Sequence, residues 1–250
     1  MAAEFGTVAE WTASTAMTLG RDYYLPAACR GSGSPAALDW LIDSLDLGEG
    51  DLLLDCGAGI GGPAAYAVQR GAHPLLVEPE AEACQAARTL FGLPVVRADG
   101  SHLPFADEVF DAAWALGVLC TTQDQTGMLT ELRRVVRPAG SIGLLVYVAT
   151  TELAEDEQPE GNSFPTMAAL RHMIDRAALA IVDQARAADL GDAPEDWRRR
   201  GDVVDAELAR VYGHRRAWQV AERQSDRIGE LIASAEVQAT LLSLRVRTDR

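Results

Sequence analysis

The chain has 250 residues, of which 48% are hydrophobic, and this is enough for one α/β domain with insertions. Its formal net charge of −15 argues against a nucleic-acid partner, because phosphate binding needs a basic face. All 22 basic residues are arginine, which excludes chemistry that depends on lysine, such as a Schiff base or a Walker phosphate loop.

The cysteines are widely spaced and fit neither a zinc site nor a disulfide framework. We therefore expect reduced thiols, no metal and a cytoplasmic location. Residues 1–10 lack the pattern of a signal peptide, and the longest clean apolar segment, 144–149, is too short to cross a bilayer. The sequence thus predicts no membrane partner. The four cysteines are Cys29, Cys56, Cys84 and Cys120.

Helical patterns dominate the first fifty residues. Ser34 and Pro35 are typical of a helix start, with serine as the N-cap and proline at the first helical position. After residue 50, short apolar segments alternate with helical patterns, which predicts βαβ units and a parallel sheet. The predicted strands are 51–55, 74–78, 94–98, 109–115, 141–148, 179–182 and 240–247. The predicted helices include 62–69, 80–91, 128–136, 166–177 and most of 194–233.

A glycine motif follows the first predicted strand. Gly57, Gly59 and Gly62 satisfy G-x-G-x-x-G, in which glycine allows a sharp turn and close approach of the backbone to a ligand. The helix that follows offers free N–H groups at its start. Dinucleotide-binding enzymes share this motif, so the motif alone does not distinguish their ligand from others.

Three acids stand at the carboxyl ends of three successive predicted strands. Asp55 would face a cationic ligand or orient the glycine loop, and it would repel a phosphate. Glu78 can accept both hydroxyls of a ribose, and Asp99 can accept a hydrogen bond from an adenine amino group. Ligands bind at this edge of a parallel sheet, so the three acids together predict a site for a positively charged nucleoside.

Five segments between residues 47 and 148 resemble class I S-adenosylmethionine-dependent methyltransferases, in particular the small-molecule, ubiquinone-biosynthesis-like branch (methyltransferase type 11/25). One departure is Ala139, which replaces the first glycine of the family's helix-to-strand turn. The segments are D-C-G-A-G-I-G at 55–61, L-V-E-P at 76–79, A-D-G-S-H-L-P-F at 98–105, F-D-A-A-W-A-L-G-V-L at 110–119 and L-R-R-V-V-R-P-A-G at 132–140.

The resemblance implies an α/β fold with a Rossmann-like, doubly wound, mostly parallel seven-stranded sheet whose last strand is antiparallel, plus helical lid elements. The alternation of apolar and polar residues over 240–247 favours such a last strand independently. We expect an N-terminal helical lid at 1–46, a methyltransferase core at 47–190, a helical insertion covering the substrate pocket at 191–237 and a final core strand at 238–250.

The resemblance also implies S-adenosyl-L-methionine as cofactor and S-adenosyl-L-homocysteine as product. Besides Asp55, the implied cofactor-binding residues fall into four groups. These are Gly57, Ala58 and Gly59 at the amino-acid part; Glu78 at the ribose with Pro79 on the adenine; Asp99 and Gly100 at the adenine amino edge; and Leu116, Gly117 and Val118 beside the sulfonium.

The predicted reaction is methyl transfer to a nucleophilic nitrogen or oxygen of a small molecule by in-line displacement. A base is needed only when the acceptor must lose a proton, and the candidates are His172 and His214. Candidate residues of the acceptor pocket are Tyr23, Tyr24, Arg30, Trp197, Tyr212 and Trp218. A homodimer is a further expectation.

Two alternatives share this fold. The first is an NAD-dependent oxidoreductase, against which Asp55, Asp99 and the absence of lysine argue. The second is a non-catalytic S-adenosylmethionine-binding protein that retains only the fold. The intact acids are compatible with this second alternative, because they bear on binding and not on turnover.

Overall fold

The computed structural model of the protein describes residues 2–247. The strands of the described chain are β1 Leu52–Cys56, β2 His73–Glu78, β3 Val95–Arg97, β4 Phe110–Leu116, β5 Val136–Ala149, β6 Leu179–Arg186 and β7 Val237–Val246. The α-helices are α1 Ala2–Leu19, α2 Tyr24–Ala28, α3 Pro35–Ser44, α4 Gly62–Val68, α5 Ala81–Phe91, α6 Gln125–Val135, α7 Met167–Arg176, α8 Glu195–Tyr212 and α9 Arg216–Ala233.

The strands form one seven-stranded sheet in the order β3-β2-β1-β4-β5-β7-β6. The pairs β1–β2, β1–β4, β2–β3 and β4–β5 are parallel, and β7 is antiparallel to both β5 and β6. This confirms the predicted mostly parallel sheet with an antiparallel last strand. The order reverses beside β1, so the carboxyl ends of β1, β2 and β4 border the crevice in which such folds bind ligands.

Each face of the sheet carries an apolar layer. On one face, Leu38 and Leu41 of α3 pack with Leu53 and Trp114, and all four side chains are fully buried. The helices α6 and α7 cover the other face. Burial on both faces explains why the central strands have continuous apolar sequences that patterning can recognise.

Capping side chains mark the first residues of α3 and α7. Ser34 Oγ accepts a hydrogen bond from the backbone N–H of Ala37 at 3.2 Å, and Pro35 opens α3, as the sequence predicts. Thr166 caps α7 in the same way through the N–H of Ala169. The helices that sequence patterning places therefore begin within a few residues of the predicted positions.

Two strands, β5 and β6, are longer than the sequence predicts by four residues or more. β5 begins at Val136, five residues early, because Val136 pairs with Phe110 and a register shift follows before the regular ladder. Pro138 and Gly140 are typical of a turn, so the sequence does not indicate that Val136 pairs with Phe110. β6 continues to Arg186, where it pairs with β7 as an edge strand whose last residues are polar and mostly exposed. Apolar patterning misses such a segment because neither face of it is fully buried.

A helical cover, which we define as residues 2–34 together with α8 and α9, lies against α4 and α5. Within it, α1 contacts α5, α8 and α9, and α2 contacts α4 and α8. The expected lid at 1–46 needs a correction, because α3 packs on the sheet through Leu38 and Leu41 and is part of the core layer. The predicted division of the chain otherwise stays a prediction.

Over residues 2–247, no helix combines the length and the apolar character needed to cross a membrane.

Candidate functional site

The glycine loop after β1 is bonded directly to the end of β2. Gly57 and Gly59 have φ values of 75° and 54°, in the left-handed region that favours glycine. The N–H groups of Gly57 and Ala58 both donate to the carbonyl of Val77, at 2.8 and 3.0 Å. The N–H of Gly59 donates to Glu78 Oε2 at 2.9 Å. The loop is therefore a rigid cradle, held in place by the strand end that carries one of the predicted ligand-binding acids.

Glu78 is buried, with 4% of its surface exposed, and both carboxylate oxygens have backbone donors. Oε2 accepts from Gly59, and Oε1 accepts from the N–H of Glu80 at 3.0 Å. Burial raises the pKa of Glu78, and these two N–H donors oppose the rise. The side chain is thus fixed in orientation, as a group that binds two hydroxyls of one sugar would need to be.

Asp55 is more deeply buried, with 1% exposed, and less well satisfied. Its Oδ2 atom has no hydrogen-bond partner among the described residues, and neither has Nε1 of Trp114, the register partner of Asp55 on β4. Burial, with the like charge of Glu78, raises the pKa of Asp55 to about 7. Trp114 and the N–H of Ala64 oppose the rise, although the indole does not reach hydrogen-bond geometry.

Asp99 differs from the other two acids because it is exposed. Its Oδ1 atom accepts from the N–H and the hydroxyl of Ser101, at 2.8 and 2.6 Å, and these bonds lower the pKa of Asp99. A Cβ atom on Gly100 would lie 2.8 Å from Cys56 Sγ, so glycine at this position lets the segment pack against the end of β1.

The three acids gather at the end of β1, because Gly59 of the loop after β1 bonds Glu78, and Gly100, next to Asp99, packs on Cys56. Burial raises the pKa of the Cys56 thiol first, and the negative charges of Asp55, Asp99 and Glu78 all raise it further. The acids predicted at successive strand ends are therefore brought together around the end of β1.

The end of β4 completes the cradle. A Cβ atom on Gly57 would lie 2.5 Å from a methyl group of Val118, so the segment after β4 sits directly on the glycine loop. Gly117 has φ 75°, donates to the carbonyl of Leu145 at 2.9 Å, and leaves room for the carbonyl of Gly31. The predicted group of Leu116, Gly117 and Val118 thus lies between the cradle and the helical cover.

The helical cover touches the cradle through its backbone. A Cβ atom on Gly62, at the start of α4, would lie 2.4 to 2.7 Å from backbone atoms of Ala28 and Cys29. Sequence patterning did not identify these two residues as part of the site. Their only signal is a run of small residues, Ala27-Ala28-Cys29, which permits close packing.

The predicted pocket residues fall into two groups. Tyr23, Tyr24, Tyr212 and Trp218 share one apolar cluster inside the cover, where Tyr212 stacks on Trp11 at 4.2 Å between ring centroids. Trp197 lies in the core cluster with Tyr66 of α4, at 6.4 Å and 84°. Arg30 joins the two halves of the cover through an ion pair with Asp205 at 2.8 Å.

The histidine candidates are both exposed. His172 lies on α7, a helix that contacts α6 and β6, and His214 lies between α8 and α9. Neither has a described hydrogen bond to a residue of the cradle, and a role for either in catalysis stays a prediction.

Tyr147 is a polar side chain within the predicted strand 141–148, and the sequence analysis gave it no role. It follows Leu145 by two residues on β5, packs against Phe164 at 6.1 Å, and is partly buried. Its hydroxyl has no described hydrogen bond, and burial raises its pKa, so the phenol is neutral and can donate. The flanking Val146 and Val148 make this position look like ordinary strand interior.

Residues 54–144 match the family described as "Methyltransferase domain". The chain is 28% identical to Methyltransferase GfsG of Streptomyces halstedii over 66% of this chain and 63% of that protein. It is 33% identical to the demethylmenaquinone methyltransferase of Corynebacterium urealyticum over 41% and 44%. The chain thus spans between four tenths and two thirds of the length of these relatives.

Solved structures share the fold. The [4+2]-cyclase SpnF superimposes with a TM-score of 0.68 at 20% identity, covering 85% of this chain and 81% of that one. Geranyl diphosphate C-methyltransferase from Streptomyces coelicolor A3(2) gives a TM-score of 0.62 at 14% identity, covering 84% and 74%. Residues 54–144, which span the glycine loop and the three strand-end acids, therefore match a methyltransferase domain, and the chain shares the fold of these solved structures.

Proposed function

We propose that the protein transfers the methyl group of S-adenosylmethionine to a nucleophilic nitrogen or oxygen of a small molecule. The observation that carries the proposal is the gathering of Asp55, Glu78 and Asp99 around a glycine cradle at one sheet edge. The relatives named as methyltransferases support methyl transfer but not one acceptor atom. They include sterol C-methyltransferases, so carbon is the alternative acceptor atom.

The residues of the cradle fit this cofactor. In this proposal Glu78, held by its backbone donors, binds the ribose hydroxyls, and Asp99 with Gly100 binds the adenine amino group, beside the exposed Pro79. The glycine loop leaves space that a Cβ atom would fill, and the unpartnered Oδ2 of Asp55 suits a cation. When bound, the cofactor supplies a methyl group already activated by a positively charged sulfur.

The residues of the chain then have to align the acceptor and exclude water. Well-oriented reactants gain the equivalent of about 7–11 kcal/mol. Leu116 to Val118 would border the reacting side, and the aromatic cluster of the cover would shield it. Since both histidine candidates are exposed, we propose that alignment and desolvation, without an obligatory base, supply the acceleration. A small and largely apolar acceptor fits this aromatic cover best.

Binding and turnover are tested separately. We expect S-adenosylhomocysteine, and not NAD, to raise the melting temperature in a thermal-shift assay. Radiolabelled S-adenosylmethionine, incubated with a panel of amines, phenols and carboxylic acids, should then yield a methylated product.

Stabilisation by NAD alone would favour the oxidoreductase alternative. Binding of S-adenosylhomocysteine without transfer to any class of acceptor would favour a protein that binds the cofactor for another purpose. The homodimer and the cytoplasmic location stay predictions.

A further inference from the structure

Asp55 is the buried acid of the cradle whose carboxylate is not fully hydrogen-bonded by the described residues. Glu78 has two backbone N–H donors and Asp99 has Ser101 and solvent, but Asp55 Oδ2 is buried with no partner in the described chain. An ionised carboxylate in this position carries a large desolvation penalty unless a cation or a proton neutralises it. Before the cofactor binds, burial therefore favours the neutral form of Asp55.

The groups that face Asp55 do not supply a cation. The charged neighbour that acts on it is Glu78 on β2, and the titratable thiols near it are Cys29, after α2, and Cys56. Burial raises the pKa of both thiols, so they are neutral. Trp114 on β4 and the N–H of Ala64 on α4 contribute dipoles only. In the cover above, the guanidinium of Arg30 is held by Asp205.

We propose that Asp55 carries a proton while the cradle is empty and releases it to solvent when the ammonium group of the cofactor arrives. Cofactor binding and proton release are then one coupled step. This inference rests on the proposed function, from which it takes the cofactor. The amino-acid part of that cofactor is expected along Gly57 to Gly59, which immediately follow Asp55.

The sign of the pH dependence follows from the pKa of about 7 in the empty protein. A bound cation lowers the pKa of Asp55, so binding releases close to one proton at about pH 6 and close to none at about pH 8. Affinity therefore rises with pH, by about tenfold between pH 6 and pH 8, and then levels off as Asp55 becomes ionised before the ligand binds.

The test is calorimetric titration of the full chain with S-adenosylhomocysteine, in buffers of low and high ionisation enthalpy. The difference in heat between buffers counts the protons released. Near one proton at pH 6, near none at pH 8, and a tenfold gain in affinity between them are the expected results. At both pH values the ligand keeps its ammonium charge, so the released proton comes from the protein.

Two variants show which residue releases the proton when the ligand binds. Asp55→Asn should bind without proton release and with pH-independent affinity. Asp99→Asn should bind more weakly yet release the same number of protons, because Ser101 keeps the pKa of Asp99 low and its carboxyl is ionised throughout. Persistence of the release in Asp55→Asn would overturn the proposal by assigning the proton elsewhere, with Glu78 the first candidate.

The wild-type protein decides the question even if Asp55→Asn does not fold. Tight binding with no proton released at pH 6 overturns this inference and leaves the proposed function intact. Absence of binding at both pH values overturns the proposed function together with this inference.

Discussion

Val118 and Gly57 approach each other more closely than any side chain at position 57 would allow. The φ of Gly57 is 75°, and a Cβ atom there would meet a methyl group of Val118 at 2.5 Å. Two separate constraints thus act on one residue, a left-handed backbone and a filled space. The motif in the sequence indicates the first constraint, whereas the second depends on the path of the chain after β4.

Gly57→Ala should lower the free energy of unfolding for both reasons. The backbone term is about 1–2 kcal/mol, and overpacking adds about 1–3 kcal/mol. Gly92→Ala is the matched control, because Gly92 has φ 68° and no atom within 4 Å of an added Cβ. Urea unfolding should therefore show a larger loss of unfolding free energy for Gly57→Ala than for Gly92→Ala. Adding Val118→Ala to Gly57→Ala should recover the part of the loss that comes from overpacking. Equal losses of unfolding free energy in Gly57→Ala and Gly92→Ala would show that Val118 moves aside at no measurable cost.

At the scale of elements, α6 holds the loop at residues 103–107, which includes the end of the family-like segment 98–105. The guanidinium of Arg134 donates to the carbonyls of Leu103 and Phe105 at 3.0 and 2.7 Å, and it also bonds Asp107 and Glu131. Glu131 in turn accepts the N–H of Leu103 at 2.8 Å. An arginine that the sequence showed only as part of a family-like turn thus fixes a loop some thirty residues earlier in the chain.

Arg134→Met should destabilise the protein by about 1–3 kcal/mol, because the loop carbonyls lose their donors. Arg133→Met is the control on the neighbouring position, where the guanidinium makes no described hydrogen bond and Nε is buried without a partner. Denaturant midpoints with unchanged slopes would measure the difference. A loss as large at position 133 would mean that the alkyl stems, and not the hydrogen bonds, stabilise the loop.

Sequence reasoning reached the strand-end acids and the order of elements because both are local. Asp55, Glu78 and Asp99 each lie at or just after the end of an apolar run, and the sheet then brings them together. The start of β5 and the end of β6 were missed because pairing, and not apolar pattern, extends them. The sequence could not predict how deeply each acid is buried. Asp55 and Asp99 were therefore both predicted as strand-end acids, although Asp55 is buried and Asp99 is exposed.

On the scale of the whole molecule, the helical cover joins two segments that are far apart in the sequence, residues 2–34 and α8 with α9. Trp11 stacks on Tyr212, Arg30 pairs with Asp205, and Arg200 Nη1 lies 3.3 Å from the carbonyl of Asp22. No local pattern indicates such partners, which are 175 or more residues apart. Since Ala28 and Gly31 pack on the cradle itself, we expect part of this cover to move when the cofactor enters or leaves.

Arg30→Met should speed the release of S-adenosylhomocysteine with little effect on stability. The ion pair is half exposed, so its contribution is at most about 1 kcal/mol, which corresponds to an increase in the dissociation rate of up to about fivefold. Stopped-flow displacement would measure the rate.

The matched control is Arg210→Met, which removes an exposed pair with Glu207 within α8. Similar rates for the two variants would show that the contact between Arg30 and Asp205 does not restrain the cover.

The stacking of Trp11 on Tyr212 also bears on how the protein is made. The first helix leaves the ribosome long before the helix that stacks on it, since translation at about 5–20 residues per second takes on the order of 10–40 s to add the intervening 200 residues. During that interval the indole has no aromatic ring stacked on it, so the face of α1 that carries Trp11 lacks this partner until α8 has been synthesised.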